Sequence, residues 1–226
     1  MSELTGTAGP HVFVDSLDEL VVADDDLHHL RKSLRLRPGD ALTASDGQGS
    51  WVACLLGTDS ALTAVGERVY QPMRPTPATV AFSLVKGSKP ELAIQKLTEL
   101  GVDQIVVLDA ERSVVRWDDA KLAANLERWG RITREASMQS HRVRLPRIEA
   151  LVPAGEWLMR PDVHAAQFGG RAIAADVHSI AIGPEGGWSP AEAAANETRT
   201  VTLGSTVLRT ETAAIAAATL LCAVPR

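Results

Sequence analysis

At 226 residues, the chain is long enough for one large domain or two smaller ones with a substantial buried core. Hydrophobic residues make up 45% of it and no low-complexity run interrupts them, which excludes extended disorder. Lys and Arg number 23 against 28 Asp and Glu, a net charge of -5, so nucleic acid is not bound by a uniformly basic surface and any such contact needs a local basic face.

Residues 1–10 carry neither a basic segment nor an apolar stretch, so no secretory leader is expected. Short alternating runs at 11–14, 40–44, 51–56 and 62–69 predict strands. Turn chemistry separates them, notably Pro38-Gly39-Asp40 and the hairpin dipeptide Asp46-Gly47. A basic stretch over 28–37 predicts a short helix among them. The pattern is that of a small β-barrel-like module. The proline-rich connector Gln71-Pro72-Met73-Arg74-Pro75-Thr76-Pro77 then predicts a domain boundary, giving residues 1–72 and 73–226.

Beyond the connector, strands and helices alternate. Residues 79–85 read as a buried strand, and Ser88-Lys89-Pro90-Glu91 as a capping box opening a helix. Leu92, the Lys96 stem, Leu97 and Leu100 fall on one face of that helix, and Gly101 suits its C-cap. A strand at 104–108 completes a βαβ unit with parallel strands. A longer helix over 118–138 carries an apolar stripe of Leu122, Leu126, Trp129, Ile132 and Ala136. Weaker strand signals lie at 145–148 and 163–168, and clearer ones at 179–182 and 200–203. Residues 213–224 are nearly all apolar but too short to span a bilayer, which predicts a buried helix and a cytoplasmic protein with no membrane contact. The larger domain is α/β, with helices on both faces of a mainly parallel sheet. Cys54 and Cys222 lie outside any C-x-x-C or His-rich pattern, so neither a disulfide framework nor a metal site is expected.

Two of the strands open directly into glycine elbows. The first is Ile182-Gly183-Pro184-Glu185-Gly186-Gly187-Trp188, followed by Ser189-Pro190-Ala191-Glu192, a second capping box. The second is Leu203-Gly204-Ser205-Thr206-Val207-Leu208, followed by Arg209-Thr210-Glu211 at the mouth of an alanine-rich helix. Glycines at a strand exit let a ligand touch main-chain groups, and the helix N-terminus beyond offers unpaired N–H donors. Neither elbow has the spacing of a dinucleotide fingerprint or a P-loop. Glu185 either faces a cationic centre such as a sulfonium or caps the next helix. Glu211 complements the helix dipole in its plainest reading, and Arg209 offers paired planar donors to a phosphate or a base carbonyl. Two basic clusters stand out in this acidic chain. One is Arg31, Lys32, Arg35 and Arg37 with His28 and His29; the other spans Arg128, Arg131, Arg134, His141, Arg142, Arg144 and Arg147. Each is either a solvated face or, with one cluster in each domain, a two-sided grip on RNA.

Further segments carry a resemblance over nearly the whole chain. They are His29-Leu30-Arg31-Lys32-Ser33-Leu34-Arg35, Lys86-Gly87, Ile94-Gln95-Lys96-Leu97-Thr98-Glu99-Leu100-Gly101-Val102, Glu111-Arg112-Ser113, Glu135-Ala136 with Gln139-Ser140, and Arg142 with Arg144-Leu145-Pro146. With the two elbows, they make the sequence similar to the bacterial 16S ribosomal RNA (uracil-N3)-methyltransferases of the SPOUT superfamily. The resemblance implies a small N-terminal PUA-like β-barrel that binds RNA and a C-terminal SPOUT-type α/β methyltransferase domain with a trefoil knot. It implies a homodimer, S-adenosylmethionine as cofactor, and a substrate of 16S rRNA in the assembled small ribosomal subunit. Carried over by position, Ile182, Gly183, Glu185 and Gly186 line the cofactor in the first elbow, and Leu203, Gly204, Val207 and Leu208 in the second. Arg209 and Glu211 stand nearest the target base, and Arg31, Lys32, Arg35, Lys86, Arg142 and Arg144 meet the RNA. Two departures are visible. Ala165-Ala166-Gln167-Phe168-Gly169 replaces a Leu-His-Pro-like run, leaving Ala166 and Gln167 as the third cofactor segment, and Ser205-Thr206 replaces a Pro-Arg-like pair. Ribose 2′-O methylation, a non-catalytic RNA-binding or ribosome-assembly role, and a nicotinamide oxidoreductase are the alternative readings.

Overall fold

The structure, a computed structural model, describes residues 9–223. Most of the segment read for a secretory leader, and the final position of the 213–224 helix, lie outside the described residues. The chain divides into two compact units: residues 1–74 with 134–145, and residues 75–133 with 146–226.

In the first unit, β1 (His11–Phe13), β2 (Ala41–Ser45), β3 (Ser50–Leu56) and β4 (Leu62–Ala64) form a sheet in that order, and β5 (Val69–Tyr70) also pairs with β3. β1 runs parallel to β2 and the other pairings are antiparallel. The β2–β3 turn closes because Asp46 Oδ1 accepts from the N–H groups of Gln48 (2.7 Å) and Ser50 (3.1 Å). The strand expected over 62–69 is two short pieces. The helix expected over 28–37 starts earlier, as α1 (Asp24–His28), and continues in a π-helical turn over His29–Ser33. Asp24, Asp25 and Asp26 complement the dipole at its start, a signal the emphasis on basic residues passed over. The turn ends before Arg35, whose φ is 58°. Val12, Val14, Leu30, Leu42, Val52 and Leu56 form the core of this unit.

Residues 134–145 join this unit through contacts distant in sequence. Arg134 donates to the Asp26 carboxylate and to the Phe13 carbonyl, Val143 packs with Trp51, and the Leu145 N–H donates to the Gly47 carbonyl. The division of the basic clusters into one per domain is therefore corrected: Arg134, His141, Arg142 and Arg144 fall in the first unit, and Arg128, Arg131 and Arg147 in the second.

The second unit begins with β6 (Thr79–Ser83), α2 (Lys89–Glu99), β7 (Gln104–Asp109), α3 (Asp119–Gln139) and β8 (Arg147–Pro153). The residues of α3 divide between the two units after Thr133. It continues with α4 (Ala154–Leu158), β9 (Val163–Arg171), β10 (Ser179–Ile182), α5 (Pro190–Ala195), β11 (Thr200–Val201) and α6 (Thr210–Ala223). Its six strands form one sheet, ordered β11-β9-β10-β6-β7-β8, and every pairing is parallel. A parallel sheet is covered on both faces at its centre, and every residue of the central strands β6 and β10 is buried, whereas β8 at the edge carries Arg147 and Glu149. Val80 and Phe82 enter the core shared with α2, Trp129 and α6, whereas Ala81 enters the core shared with α4.

Helix α2 departs from expectation at its start. Ser88 has φ -87° and ψ 10° and makes no side-chain cap bond; a capping box needs an extended N-cap. Glu91 instead pairs with Arg128 at 3.5 Å. The buried face is Ala93, Ile94, Leu97 and Thr98, whereas Leu92 is 44% exposed and Lys96 lies outward in an ion pair with Glu99. The C-terminus behaves as predicted. Gly101 has φ 89°, its N–H donates to Thr98, and the Val102 N–H donates to Leu97, the paired bonds of a glycine-ended helix.

Candidate active site

β9, β10 and β11 lie on the side of β6 opposite to β7 and β8. The chain reverses its direction of travel across the sheet at that point, and open α/β sheets bind ligands at the C-terminal ends of strands flanking such a reversal. The first elbow leaves the C-terminal end of β10, which flanks β6 at this reversal, and the second leaves the C-terminal end of β11 at the edge of the sheet.

The first elbow starts where the Ile182 carbonyl accepts from Ser83 Oγ at 3.1 Å. The Gly187 N–H closes a turn onto the Pro184 carbonyl at 2.8 Å. A Cβ on Gly183 would stand 3.1 Å from the Trp188 ring, so only glycine lets the indole lie against the chain here. The capping box at Ser189 is present in full, with Ser189 Oγ accepting from the Glu192 N–H and Glu192 Oε2 accepting from the Ser189 N–H. Glu192 is buried, and its Oε1 also accepts from the Glu111 N–H at 2.9 Å, which ties the loop after β7 to the elbow. Arg112 in that loop donates to the Gly186 carbonyl at 3.2 Å.

In the second elbow Gly204 has φ 141° and its carbonyl accepts from Thr202 Oγ1. Thr210, at the start of α6, donates its hydroxyl to the Gly183 carbonyl at 3.1 Å. That single bond joins the two elbows across 27 residues of chain. Between them and the end of β9 lies a cavity of about 390 Å³, within the roughly 300–1,000 Å³ of small-molecule sites.

Ala166, Gln167, Ile182, Gly183, Glu185, Leu203, Gly204, Val207 and Leu208 all line this cavity. Gly186 does not; it lies against Arg112. Arg209 and Glu211 flank the cavity without lining it, although Thr210 between them does. Arg209 is exposed and makes no ion pair among the described residues. Glu211 is buried, and its Oε1 lies 3.4 Å from Lys89 Nζ. The same Nζ is 3.7 Å from Glu185 Oε1. Sequence reasoning missed Lys89, Phe168, Trp188, Thr206 and Thr210. Trp188 had a visible signal, since it follows Gly187 directly, and Thr210 had one as the residue between Arg209 and Glu211.

The lining fits a flat, partly cationic ligand. Ile182, Leu203, Val207, Leu208 and Trp188 offer apolar surface, and Glu185 a negative charge. A Cβ on Gly187 or Gly204 would meet no protein atom within 4 Å, so space beside their backbone is open. Trp188 Nε1 is a buried donor with no acceptor among the described residues. On β9, His164 is held below its ordinary pKa by burial first and the nearby Arg171 second, and stays neutral at pH 7.

The residues expected at the RNA differ in their engagements. Lys32, Arg35 and Lys86 are exposed. Arg31 donates to the carbonyls of Thr58 and Asp59, both at 2.7 Å. Arg144 donates to the Gln71 carbonyl at 3.0 Å and sits over the Tyr70 ring. Arg142 is half-buried. Thus Arg31 and Arg144 serve the fold of the first unit. No cluster of three or more His, Cys, Asp or Glu suited to a metal occurs among the described residues, and no helix there is long and apolar enough to cross a membrane.

The model of the RNA methyltransferase domain family matches residues 72–222. The chain is 32% identical to ribosomal RNA small subunit methyltransferase E of Mycobacterium bovis, over 91% of this chain and 88% of that protein. The chain belongs to the ribosomal RNA small subunit methyltransferase E family. The family's Bacillus subtilis member is 31% identical, with 85% of each chain covered. A model of the RNA methyltransferase PUA domain matches residues 22–62 in the first unit. Among solved structures, a family member from Neisseria gonorrhoeae bound to S-adenosyl methionine superposes with a TM-score of 0.74 at 28% identity, over 94% of this chain and 96% of that one.

Proposed function

We propose that this protein transfers a methyl group from S-adenosylmethionine to N3 of a uridine in 16S rRNA, within the assembled small ribosomal subunit in the cytoplasm. The observation that carries this reading is the cavity between two glycine elbows joined by the Thr210–Gly183 bond, in a chain of this family. The donor bound by the Neisseria gonorrhoeae relative supports the choice of cofactor.

When bound, S-adenosylmethionine supplies an electrophilic methyl group on a positively charged sulfur. The backbone of Gly183, Leu203 and Gly204 and the side chains of Ile182, Val207, Leu208 and Trp188 would hold it. Glu185 offers charge complementary to the sulfonium. Fixing nucleophile, methyl and sulfur in line lowers the barrier by positioning alone. Arg209 stabilises negative charge developing on the uracil carbonyls as N3 loses its proton, and Glu211 orients Arg209 or accepts that proton. N3 lies on the base-pairing edge, so the uridine is presented unpaired. Lys32, Arg35 and Lys86, exposed and without ion pairs among the described residues, contact RNA phosphates. The reading includes a trefoil-knotted second unit, a closed PUA-like barrel in the first, and a homodimer.

The test is methylation of small subunits lacking the modification, followed by nucleotide mapping by mass spectrometry. A methyl group on uracil N3 is expected. A methyl group on a ribose 2′ oxygen, or none, overturns the proposal.

A further inference from the structure

We propose that Lys89 is a positioning residue for methyl transfer, a cation that clamps the two elbows together by holding Glu185 and Glu211 at once. The inference rests on the methyltransferase reading and extends it to a residue outside both elbows. Lys89 is the first residue of α2, far in sequence from either elbow. Its Nζ lies 3.7 Å from Glu185 Oε1 and 3.4 Å from Glu211 Oε1. No other cation pairs with either carboxylate among the described residues.

The two carboxylates differ in what they ask of it. The Glu185 side chain is half exposed, and an exposed pair contributes little by itself. The Glu211 side chain is only 11% exposed, and its Oε2 is buried with no hydrogen-bond partner among the described residues. A buried carboxylate with one oxygen unmatched is costly, so Lys89 is what keeps it in this orientation. The other oxygen is shut away from solvent and from the cavity lining, so the Lys89 ammonium is the charge that matches this carboxylate. The Thr210 hydroxyl joins the elbows by its bond to the Gly183 carbonyl, and Lys89 joins them a second time through charge. Removing Lys89 frees both Glu185 and Glu211 to turn toward solvent and loosens the frame that orients the base.

The test compares Lys89→Met, Lys89→Arg, Glu211→Gln and the Lys89→Met/Glu211→Gln pair with wild type. Methyl incorporation into unmodified small subunits is measured alongside hydrogen exchange of the free protein. Lys89→Met is expected to lower kcat by about 10–100-fold, the scale of lost orientation, and to raise KM for the donor as well, because Glu185 in the cavity wall is freed with Glu211. Lys89→Arg is expected to restore most of the rate. The double variant is expected to lose less than the product of the two single losses, because residues acting as a unit do not add, the remaining loss over Glu211→Gln coming from the freed Glu185. Without cofactor or RNA, amides over 183–188 and 204–211 are expected to exchange faster in Lys89→Met and at the wild-type rate in Lys89→Arg. Unchanged kcat or unchanged exchange in Lys89→Met overturns the inference, as do additive losses in the pair or a Lys89→Arg no better than Lys89→Met. Wild type that transfers no methyl group overturns the underlying reading and this inference with it. An active wild type beside any of the other results overturns the inference alone.

Discussion

Arg209 and Glu211 are neighbours in sequence with opposite surroundings. Arg209 is exposed at the second elbow, whereas Glu211, two positions on in the first turn of α6, is buried against Lys89. Under the proposed function, this exposed guanidinium acts on the base that enters next to the cofactor. Arg209→Ala is therefore expected to lower methylation by about 10²-fold, the usual loss of one charge-stabilising donor, with donor affinity unchanged by calorimetry. Equal losses in both would assign Arg209 to the cofactor instead. A second residue-scale expectation concerns His11 in the first unit. Its ring nitrogens lie 2.8 Å from Thr43 Oγ1 and 3.0 Å from Ser45 Oγ. Burial first, and then His141, lower its pKa to about 4. The unfolded chain then binds a proton near pH 6.5 that the folded chain refuses until about pH 4. Stability is full above pH 6.5 and falls as pH drops through this window, by on the order of 3 kcal/mol at most. Urea unfolding at pH 7 and pH 5 measures the loss, and His11→Gln is expected to flatten it.

At the scale of elements, the first elbow works because main chain and indole touch without a Cβ between them. Gly183→Ala places a methyl 3.1 Å from the Trp188 ring. The loop has to move, at a cost of about 1–3 kcal/mol for overpacking. Its carbonyl is also the acceptor of the Thr210 bond, so the displacement reaches the second elbow. Weaker binding of S-adenosylhomocysteine is expected by calorimetry, with partial recovery in Gly183→Ala/Trp188→Leu. Unchanged affinity in Gly183→Ala would show that the elbow yields without disturbing the cavity. The two capping boxes read from sequence illustrate the limits of local signals. Ser189 and Glu192 form theirs because Ser189 is extended, with φ -67° and ψ 163°. Ser88 and Glu91 match the same pattern, but the chain leaves β6 with Ser88 near φ -87° and ψ 10°, and Glu91 finds Arg128 instead.

For the whole molecule, the proposed function asks an acidic chain to meet RNA through exposed cations such as Lys32 and Arg35, which make no ion pair among the described residues. Lys32→Glu with Arg35→Glu is expected to weaken small-subunit binding and to reduce the slope of log K against log salt by roughly 1–2, as lost phosphate contacts do. An unchanged slope would make those residues an ordinary solvated face. Arg31, bonded to two carbonyls, is expected to act through stability rather than through that slope. The sequence by itself determined the strand–helix alternation and the two elbows, because these depend on local patterning and on glycines at strand ends, and the family resemblance supplied half of the residues now found around the cavity. It did not reveal that residues 134–145 belong with the first unit, that α2 turns Ala93 and Ile94 inward rather than Leu92, or that Lys89 meets Glu185 and Glu211. Tertiary structure alone decided these, since each is a contact between segments distant in the chain, set by how the strands pair and where the helices lie across them.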